Sequence, residues 1–115
     1  MKLPNLEQAV VAREKITEYL LSPDHPDGRD KAAFFHRFGF SIDEWEILAE
    51  ALCCHAATHD VARTADNEFG RRYVVEGRID APDGRAPFVR SVWFMAFGEE
   101  SPRLVSAYPL RGSER

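Results

Sequence analysis

The longest apolar run in the chain, at residues 87–97, leaves almost no polar position on either of its alternating faces. Only Arg90 and Ser91 interrupt the run, one on each face. A strand with one face in water alternates apolar and polar residues, whereas a strand covered on both faces is apolar throughout. We therefore predict that residues 87–97 form the central strand of a small sheet, with both faces covered.

Helical spacing precedes this run. Apolar residues recur at helical intervals in residues 12–20, and Pro23 ends this first helix because the residue before a proline avoids helical backbone angles. Asp30 is predicted to cap a second helix at residues 31–38. Gly39 follows at the position where helices often end in a left-handed residue.

A third helix has the best-marked start. Ser41 and Glu44 have the spacing of a capping box, and an apolar stripe of helical period follows and ends near His59. Cys53 and Cys54 lie side by side on this helix. Because adjacent cysteines can bridge only through a strained ring, we expect two reduced thiols.

The period then changes from helix to strand. Residues 71–81 alternate apolar and polar, and the Pro-Asp-Gly sequence at residues 82–84 is typical of a tight turn into the central strand. The other predicted features are an edge strand at 61–64, turns at 67–70 and 98–102, a last strand at 103–108 and a frayed tail at 112–115.

This order of elements predicts the fold class. Helices followed by an antiparallel meander form an α+β layer, in which the helices cover one face of the sheet. We predict an α+β fold with three N-terminal helices packed on a three- to four-stranded antiparallel meander. At 115 residues the chain has the length of a single domain, residues 1–115.

Composition excludes several protein classes. The 44% hydrophobic share suits a globular protein rather than a disordered one. No apolar run approaches the roughly 20 residues that span a bilayer, and the first residues lack the apolar segment of a secretory signal. We therefore expect a cytoplasmic protein without a membrane partner.

The charge is acidic overall and unevenly distributed. A net charge of −4 argues against a generic nucleic-acid-coating surface. Residues 61–115 nevertheless hold 9 basic and 8 acidic groups, and every basic group there is arginine. The sheet half carries either a local positive patch or an even scatter of charge, and the sequence leaves both open.

Sequence motifs give little support for metal or cofactor chemistry. His55 and His59 have the i, i+4 spacing of two zinc ligands, but the metalloprotease pattern needs Glu where this chain has Ala56. We favour a structural role at the helix end, with a metal site as the alternative and Cys54 and Asp60 as the nearest further ligands. The chain has no nucleophile elbow, P-loop, dinucleotide fingerprint or paired C-x-x-C, so we predict no cofactor.

A set of polar residues on otherwise structural segments is more informative. A charged Arg90 in the middle of a sheet is costly unless it is paired or faces an open surface. One interpretation is an ion pair with Glu76 across the hairpin, and the other is an open sheet face that binds a ligand. An open face would bring together the cations, histidine and hydroxyls needed to cleave a phosphodiester without metal. These residues are His25, Lys31, Arg90, Ser106 and Tyr108.

Several segments together resemble a small bacterial family of a domain of unknown function: LPNLEQAV, KITEYLL, HPDGRDKAAFFHRFGF, YVVEG, RSVWF and PRLVSAYPL. They cover nearly the whole chain, and the family has no established activity. In architecture and in its toxin-like contexts, this domain is in turn similar to barnase-like ribonuclease toxins. Those proteins place N-terminal helices before a four-stranded antiparallel sheet whose open face cuts RNA without a metal.

The resemblance and the polar set together suggest a metal-independent endoribonuclease of the bacterial toxin type. His25 or His36 would carry the proton, Lys31 and Arg90 would clamp the phosphate, and Ser106 and Tyr108 would be the positioning hydroxyls. The alternative is a non-catalytic protein-binding module, antitoxin-like or a scaffold partner, so the sequence leaves open whether the chain is an enzyme. The candidate partners are RNA, a cognate protein and a second copy of the chain in a homodimer.

Overall fold

A computed structural model of the chain describes residues 1–110, which form an α+β fold with a four-stranded antiparallel sheet. The predicted tail at 112–115 lies outside the described residues. In chain order the elements are a 3₁₀ turn at Leu6–Gln8, α1 at Arg13–Lys15, a π-helical turn at Ile16–Leu20, α2 at Arg29–Arg37, α3 at Trp45–Thr58, and strands β1 at Val61–Asp66, β2 at Gly70–Arg78, β3 at Phe88–Ala96 and β4 at Arg103–Pro109.

The first helix differs from the prediction. Instead of a regular helix, α1 is a single turn that widens into the π-helical turn, in which the Leu21 amide donates to the Ile16 carbonyl at 2.8 Å. Ile16, Leu20 and Leu21 are all fully buried. The wide turn lets these three side chains enter the core together, which an α-helical period of 3.6 residues does not favour.

The second and third helices lie close to their predicted positions. Helix α2 begins two residues earlier than predicted, with Gly28 rather than Asp30 before its first residue. Gly39 follows its end with φ of 101°, as predicted. Before α3, the Glu44 amide donates to the Ser41 hydroxyl at 3.4 Å, but the helix begins only at Trp45, so this contact lies in the preceding turn and the predicted capping box does not cap the helix. Helix α3 ends at Thr58, next to the predicted His59.

The sheet is a meander in the order β1-β2-β3-β4, and β3 is one of its two central strands. One sheet face, here called the inner face, packs on the helices. Its residues Val75, Val89 and Trp93 are fully buried and share a core with Leu48 and Leu52 of α3. Hydrophobic burial of this face holds the helical layer on the sheet.

The opposite face, here called the outer face, corrects the prediction that β3 is covered on both sides. Val92 is nearly buried there, but Phe88, Arg90 and Phe94 are only half-buried. The Arg78 guanidinium lies 4.3 Å from the centre of the Phe88 ring. The Arg78 side chain thus covers one face of the Phe88 ring and partly shields it from water.

Candidate active site on the outer face of the sheet

A row of three polar side chains crosses the outer face from β2 to β4. Arg90 lies opposite Glu76 on one side and opposite Tyr108 on the other. Its Nε and Nη2 atoms donate to Glu76 Oε2 at 2.7 and 2.6 Å, and its guanidinium carbon lies 5.6 Å from the Tyr108 ring centre. The predicted ion pair with Glu76 is therefore present, and it lies on a half-exposed surface.

Arg90 keeps hydrogen-bonding capacity for a ligand despite this ion pair. A guanidinium carries five N–H groups, of which Glu76 occupies two. The Tyr108 hydroxyl first, and the Glu76 carboxylate after it, raise the pKa of Arg90. Arg90 is therefore a permanent cation with N–H groups to spare.

The helical half of the chain contributes side chains to the β4 end of this row. Tyr19, in the π-helical turn, places its hydroxyl 3.2 Å from the Ser106 hydroxyl. Ser106 lies opposite Val92 and so belongs to the outer face. Sequence reasoning missed Tyr19 as a site residue because it counted the ring in the apolar stripe of the first helix. The signal that could have found it is its polar hydroxyl, one helical turn after Lys15.

His25 joins the same group from the loop before α2. Its ring lies 4.9 Å from the Tyr19 ring in an edge-to-face arrangement. The Asp27 amide donates to His25 Nδ1 at 3.0 Å, so the neutral imidazole carries its hydrogen on Nε2. Among residues 1–110, Nε2 has no hydrogen-bond partner, which leaves it for a substrate.

Lys31 lies between the two tyrosines. Its ammonium group is 5.3 Å from the Tyr19 ring centre and 6.0 Å from the Tyr108 ring centre, and it donates to the Asp27 carbonyl at 3.0 Å. Within the described part of the chain it makes no ion pair with a carboxylate. Lys31 is thus a cation beside the Tyr108 end of the row, and Asp30 lines the same depression.

These side chains line two shallow depressions that share Ser106. One, of about 360 Å³, is lined by Asp30, Lys31, Ser106, Tyr108 and Pro109. The other, of about 520 Å³, is lined by Glu14, Lys15, Glu18, Tyr19, His25, Val105 and Ser106. The structure therefore brings together five of the six predicted catalytic residues at one edge of the outer face: His25, Lys31, Arg90, Ser106 and Tyr108.

Most arginines of the sheet half lie on the outer face. The strand register places five of the seven arginines in residues 61–110 on this face, and Glu76 is the only carboxylate that strands β1 to β4 place there. The distribution is a positive patch rather than an even scatter. Its arginines are Arg63, Arg72, Arg78, Arg90 and Arg103.

Comparison with known proteins places the chain in a family. Residues 2–111 match a family described as a domain of unknown function (DUF6883). The chain belongs to the DUF6883 family. This confirms the resemblance to a family of unknown function that the sequence segments suggested.

A solved structure shares the fold of this DUF6883 chain. It is described as a contact-dependent growth inhibition toxin–immunity protein complex from Klebsiella pneumoniae 342. The match has a TM-score of 0.72 and 18% sequence identity, and it covers 93% of this chain and 97% of the other. Identity this low establishes a common fold and nothing further. No curated protein matches the sequence.

His36, the other predicted proton carrier, lies apart from the site in this DUF6883 fold. Its Nδ1 atom is 3.0 Å from the Phe40 carbonyl, and its Nε2 atom is 2.9 Å from the Leu21 carbonyl. Both ring nitrogens therefore face backbone acceptors that join α2 to its neighbouring loops. His25, by contrast, packs against Tyr19 beside Ser106.

His55 belongs to a closed buried network on the inner face. Its Nε2 atom donates to the Gly77 carbonyl at 3.1 Å, and its Nδ1 atom accepts from the Ser91 hydroxyl at 3.0 Å. The Ser91 oxygen in turn accepts the Trp93 indole N–H at 3.0 Å. Burial, the largest cause, lowers the pKa of His55, so the ring is held neutral.

This network uses the lone pair that a metal would need. With Nδ1 bonded to Ser91 and Nε2 to Gly77, His55 offers no free nitrogen to an ion shared with His59. Over residues 1–110, no group of three or more His, Cys, Asp or Glu side chains is arranged to hold a metal ion. The residues present therefore do not fit the zinc site considered as an alternative.

Two further features bear on reactivity and on membranes. Both cysteines are free thiols, and burial first, with Glu50 second, raises the pKa of Cys53, which keeps that thiol protonated. Across the part of the chain that the structure describes, no helix combines the length and the apolar character needed to cross a bilayer.

Proposed function

We propose that this DUF6883 domain is a metal-independent endoribonuclease of the bacterial toxin type. The observation that supports it most is the meeting of His25 and Lys31, from the helical half, with Arg90, Ser106 and Tyr108, from the sheet. The common fold with a chain of a toxin–immunity complex also supports it. Lys31 and Arg90 would supply the positive charge that a phosphodiester needs in its transition state.

The reaction uses the nucleophile that RNA itself carries. Glu76 takes the proton of the ribose 2′-hydroxyl, the 2′-oxygen bonds to phosphorus, and the bond from phosphorus to the 5′-oxygen breaks. The doubly protonated His25 gives its Nε2 proton to the departing 5′-oxygen. The products are a 2′,3′-cyclic phosphate and a free 5′-hydroxyl.

The two proton-transfer groups lie on either side of Arg90 and Tyr108. Glu76 lies on β2, two strands away from Tyr108 on β4, a separation of about 10 Å at the usual strand spacing. His25 lies beyond β4 on the other side of Arg90 and Tyr108. The mechanism requires the phosphate to bind between them, with Glu76 on the side of the 2′-oxygen and His25 on the side of the 5′-oxygen. The second proton of His25 sits on Nδ1, which then no longer accepts the Asp27 amide.

Cleavage of a 5′-labelled RNA oligonucleotide in EDTA tests this function. We expect wild-type protein to release fragments that end in a 2′,3′-cyclic phosphate, and an oligonucleotide with a 2′-deoxyribose at the cleaved position to remain intact. The variants Lys31→Gln, Arg90→Gln and Glu76→Gln should each lose roughly 10²-fold in rate, the usual effect of removing one preorganised catalytic group.

Arg29→Gln is the matched control, because it removes one positive charge from an exposed position on the same helix as Lys31. Thermal melts of all variants separate loss of activity from loss of folding. Absence of cleavage by the wild-type protein would overturn the proposal, and so would equal rates for Arg29→Gln and the three site variants.

A second candidate is the binding module, in which the chain serves as the partner of a toxin. Phe69 and Phe97 favour it, because they are 69% and 63% exposed and adjacent, with the Phe97 amide bonded to the Phe69 carbonyl at 3.0 Å. A cognate protein that binds there should lose affinity for a Phe69→Ser/Phe97→Ser variant, as isothermal titration would measure. RNA cleavage by the isolated wild-type chain would count against this candidate.

A further inference from the structure

A separate cavity of about 460 Å³ lies where the β2–β3 hairpin meets the end of α2. The tip of the hairpin is fixed to the helix end, because the Arg85 guanidinium donates to the Arg37 carbonyl at 3.0 Å. The walls are three aromatic rings and three cations, and neither the chemistry above nor the core uses this combination. They are Phe34, Phe38, Phe88, Arg37, Arg78 and Arg85.

Two of the arginines are stacked on the aromatic rings. The Arg85 guanidinium carbon lies 4.3 Å from the Phe38 ring centre, and the Arg78 guanidinium carbon lies 4.3 Å from the Phe88 ring centre. Arg78 is also fixed by a 2.7 Å hydrogen bond to the Ala86 carbonyl. A stacked guanidinium has a second flat face, and nucleic-acid bases stack on such planes as they do on aromatic rings.

The cavity is cationic as well as aromatic. Asp83 pairs with Arg85 at 2.7 Å, whereas Arg37 and Arg78 have no carboxylate partner in residues 1–110. Three arginines against one aspartate leave two uncompensated positive charges. A ligand that satisfies both properties carries a flat aromatic group next to an anion, which is the chemistry of a nucleotide.

The cavity borders the proposed active site. Pro109 lines both this cavity and the depression that contains Lys31, Ser106 and Tyr108. Phe88 also lies on the same face of β3 as Arg90, two residues away, which is about 7 Å along a strand. A nucleotide in the cavity would therefore be next in the RNA chain to the phosphodiester held by Arg90.

We propose that this cavity is a subsite for the nucleotide that flanks the scissile phosphodiester, with the base stacked against Phe88 and Arg78 and the phosphate bound by Arg37. This inference rests on the proposed ribonuclease function, but it concerns binding and can be measured without cleavage. It predicts that the domain binds single-stranded RNA through the nucleotide next to the scissile phosphodiester as well as through that phosphodiester.

Fluorescence anisotropy with a labelled 2′-O-methyl RNA oligonucleotide tests the subsite, because this RNA cannot be cleaved by 2′-hydroxyl attack. Phe88→Leu should raise Kd roughly 10-fold through lost stacking. Arg37→Gln should weaken binding and lower the salt slope by about one phosphate contact. Arg29→Gln removes a charge from the other end of the same helix. It should change Kd and the salt slope less than the two subsite variants do.

An oligonucleotide with one abasic site provides the second arm. When the abasic position falls in the subsite, the Phe88→Leu effect should disappear while the Arg37→Gln effect remains. Labelled AMP is tested in parallel, and binding of AMP as tight as that of the oligonucleotide would contradict a subsite built for RNA. Thermal melts confirm that each variant is folded.

The outcomes separate this inference from the nuclease proposal. If wild-type protein binds RNA but Phe88→Leu and Arg37→Gln behave as Arg29→Gln does, the subsite is wrong and cleavage is untouched. If the two variants lose RNA binding while natural RNA is never cut, the subsite is supported and the catalytic assignment is wrong. If the wild-type protein does not bind the 2′-O-methyl RNA, the subsite is overturned.

Discussion

His55 of α3 and Arg90 of β3 can both carry a positive charge, but the fold keeps one neutral and the other charged. Arg90 stays charged on the outer face, because Glu76 and Tyr108 flank it at half-exposed positions. His55 is 1% exposed and bonded through both nitrogens, so it stays neutral. Arg90 can therefore contact a ligand, whereas His55 stabilises the core.

The lowered pKa of His55 makes stability depend on pH. The unfolded ring titrates near its ordinary pKa of 6.5, whereas the folded ring binds a proton only at lower pH. Between these two pKa values the unfolded state holds more protons, so the free energy of unfolding rises with pH. Above pH 6.5 the neutral His55 ring makes its full contribution to the free energy of unfolding. This contribution is lost as pH falls towards the folded pKa, by about 1.4 kcal/mol for each unit by which folding lowers the pKa.

Urea unfolding at pH 7.5 and at pH 5.5 measures this effect. We expect wild-type protein to lose stability at the lower pH, and a His55→Gln variant to show a smaller difference between the two values. Arg29→Gln, which changes an exposed cation outside the core, should keep the wild-type difference. An unchanged pH difference in His55→Gln would contradict the assignment.

At the scale of elements, Gly77 is where α3 meets the sheet. A Cβ added to Gly77 of β2 would clash with the His59 ring, at the end of α3. The His59 ring cannot easily move away, because its Nδ1 is bonded within 3.0 Å to the His55 carbonyl. The close approach of helix and strand therefore requires glycine at this position.

Gly77→Ala should lower stability by about 1–3 kcal/mol, the usual cost of overpacking a core. The double variant Gly77→Ala/His59→Ala should cost less than the sum of the two single variants, because it removes the ring that the new methyl group meets. Chemical denaturation of the four proteins in this cycle checks the coupling. Strict additivity would show that the contact does not limit the packing of α3.

The first helix illustrates why an element can depart from its periodicity. The apolar spacing in residues 12–20 fits an α-helix, and local sequence carries no sign of a π-helical turn. The wider turn forms because Ile16, Leu20 and Leu21 all reach the core. It also leaves Tyr19 free to reach Ser106, so tertiary packing decides both the geometry of this segment and its role in the site.

At the scale of the whole molecule, a net charge of −4 conceals a cationic outer face. The pair Arg71 and Arg72 tests this distribution, because neighbouring residues of β2 point to opposite faces. Arg71 pairs with Asp66 at 2.6 Å, whereas Arg72 lies on the outer face opposite Phe94. The two substitutions remove the same charge, one residue apart.

Arg72→Gln should weaken RNA binding and reduce the slope of log K against log salt by about one contact, whereas Arg71→Gln should change the slope little. Anisotropy titrations with 2′-O-methyl RNA at several salt concentrations measure both. Equal slopes for the two variants would mean that RNA does not follow the outer face.

Much of the candidate site could be read from polar residues that interrupt structural patterns. Arg90 in an apolar strand and Lys31 after the loop that precedes α2 were predicted for this reason, and both lie at the edge of the outer face with the other site residues. Tyr19 did not, because an aromatic residue in a helical stripe is indistinguishable from a core residue. His36 had the right side-chain type, yet its nitrogens bond backbone carbonyls that sequence cannot place in space.

The elements with local causes follow from the amino-acid sequence: helices α2 and α3, the β2–β3 hairpin with its Pro-Asp-Gly turn, and the left-handed Gly39. Helix and strand propensity, capping and hydrophobic period depend on a few neighbouring residues, so they can be predicted from the sequence. Tertiary structure alone decided which sheet face stays open and that five arginines share it. It also decided that Tyr19, 87 residues before Ser106 in the chain, lies within hydrogen-bonding distance of it. These relations depend on how the helical layer packs against the register of the sheet, and a linear pattern does not contain that distance information.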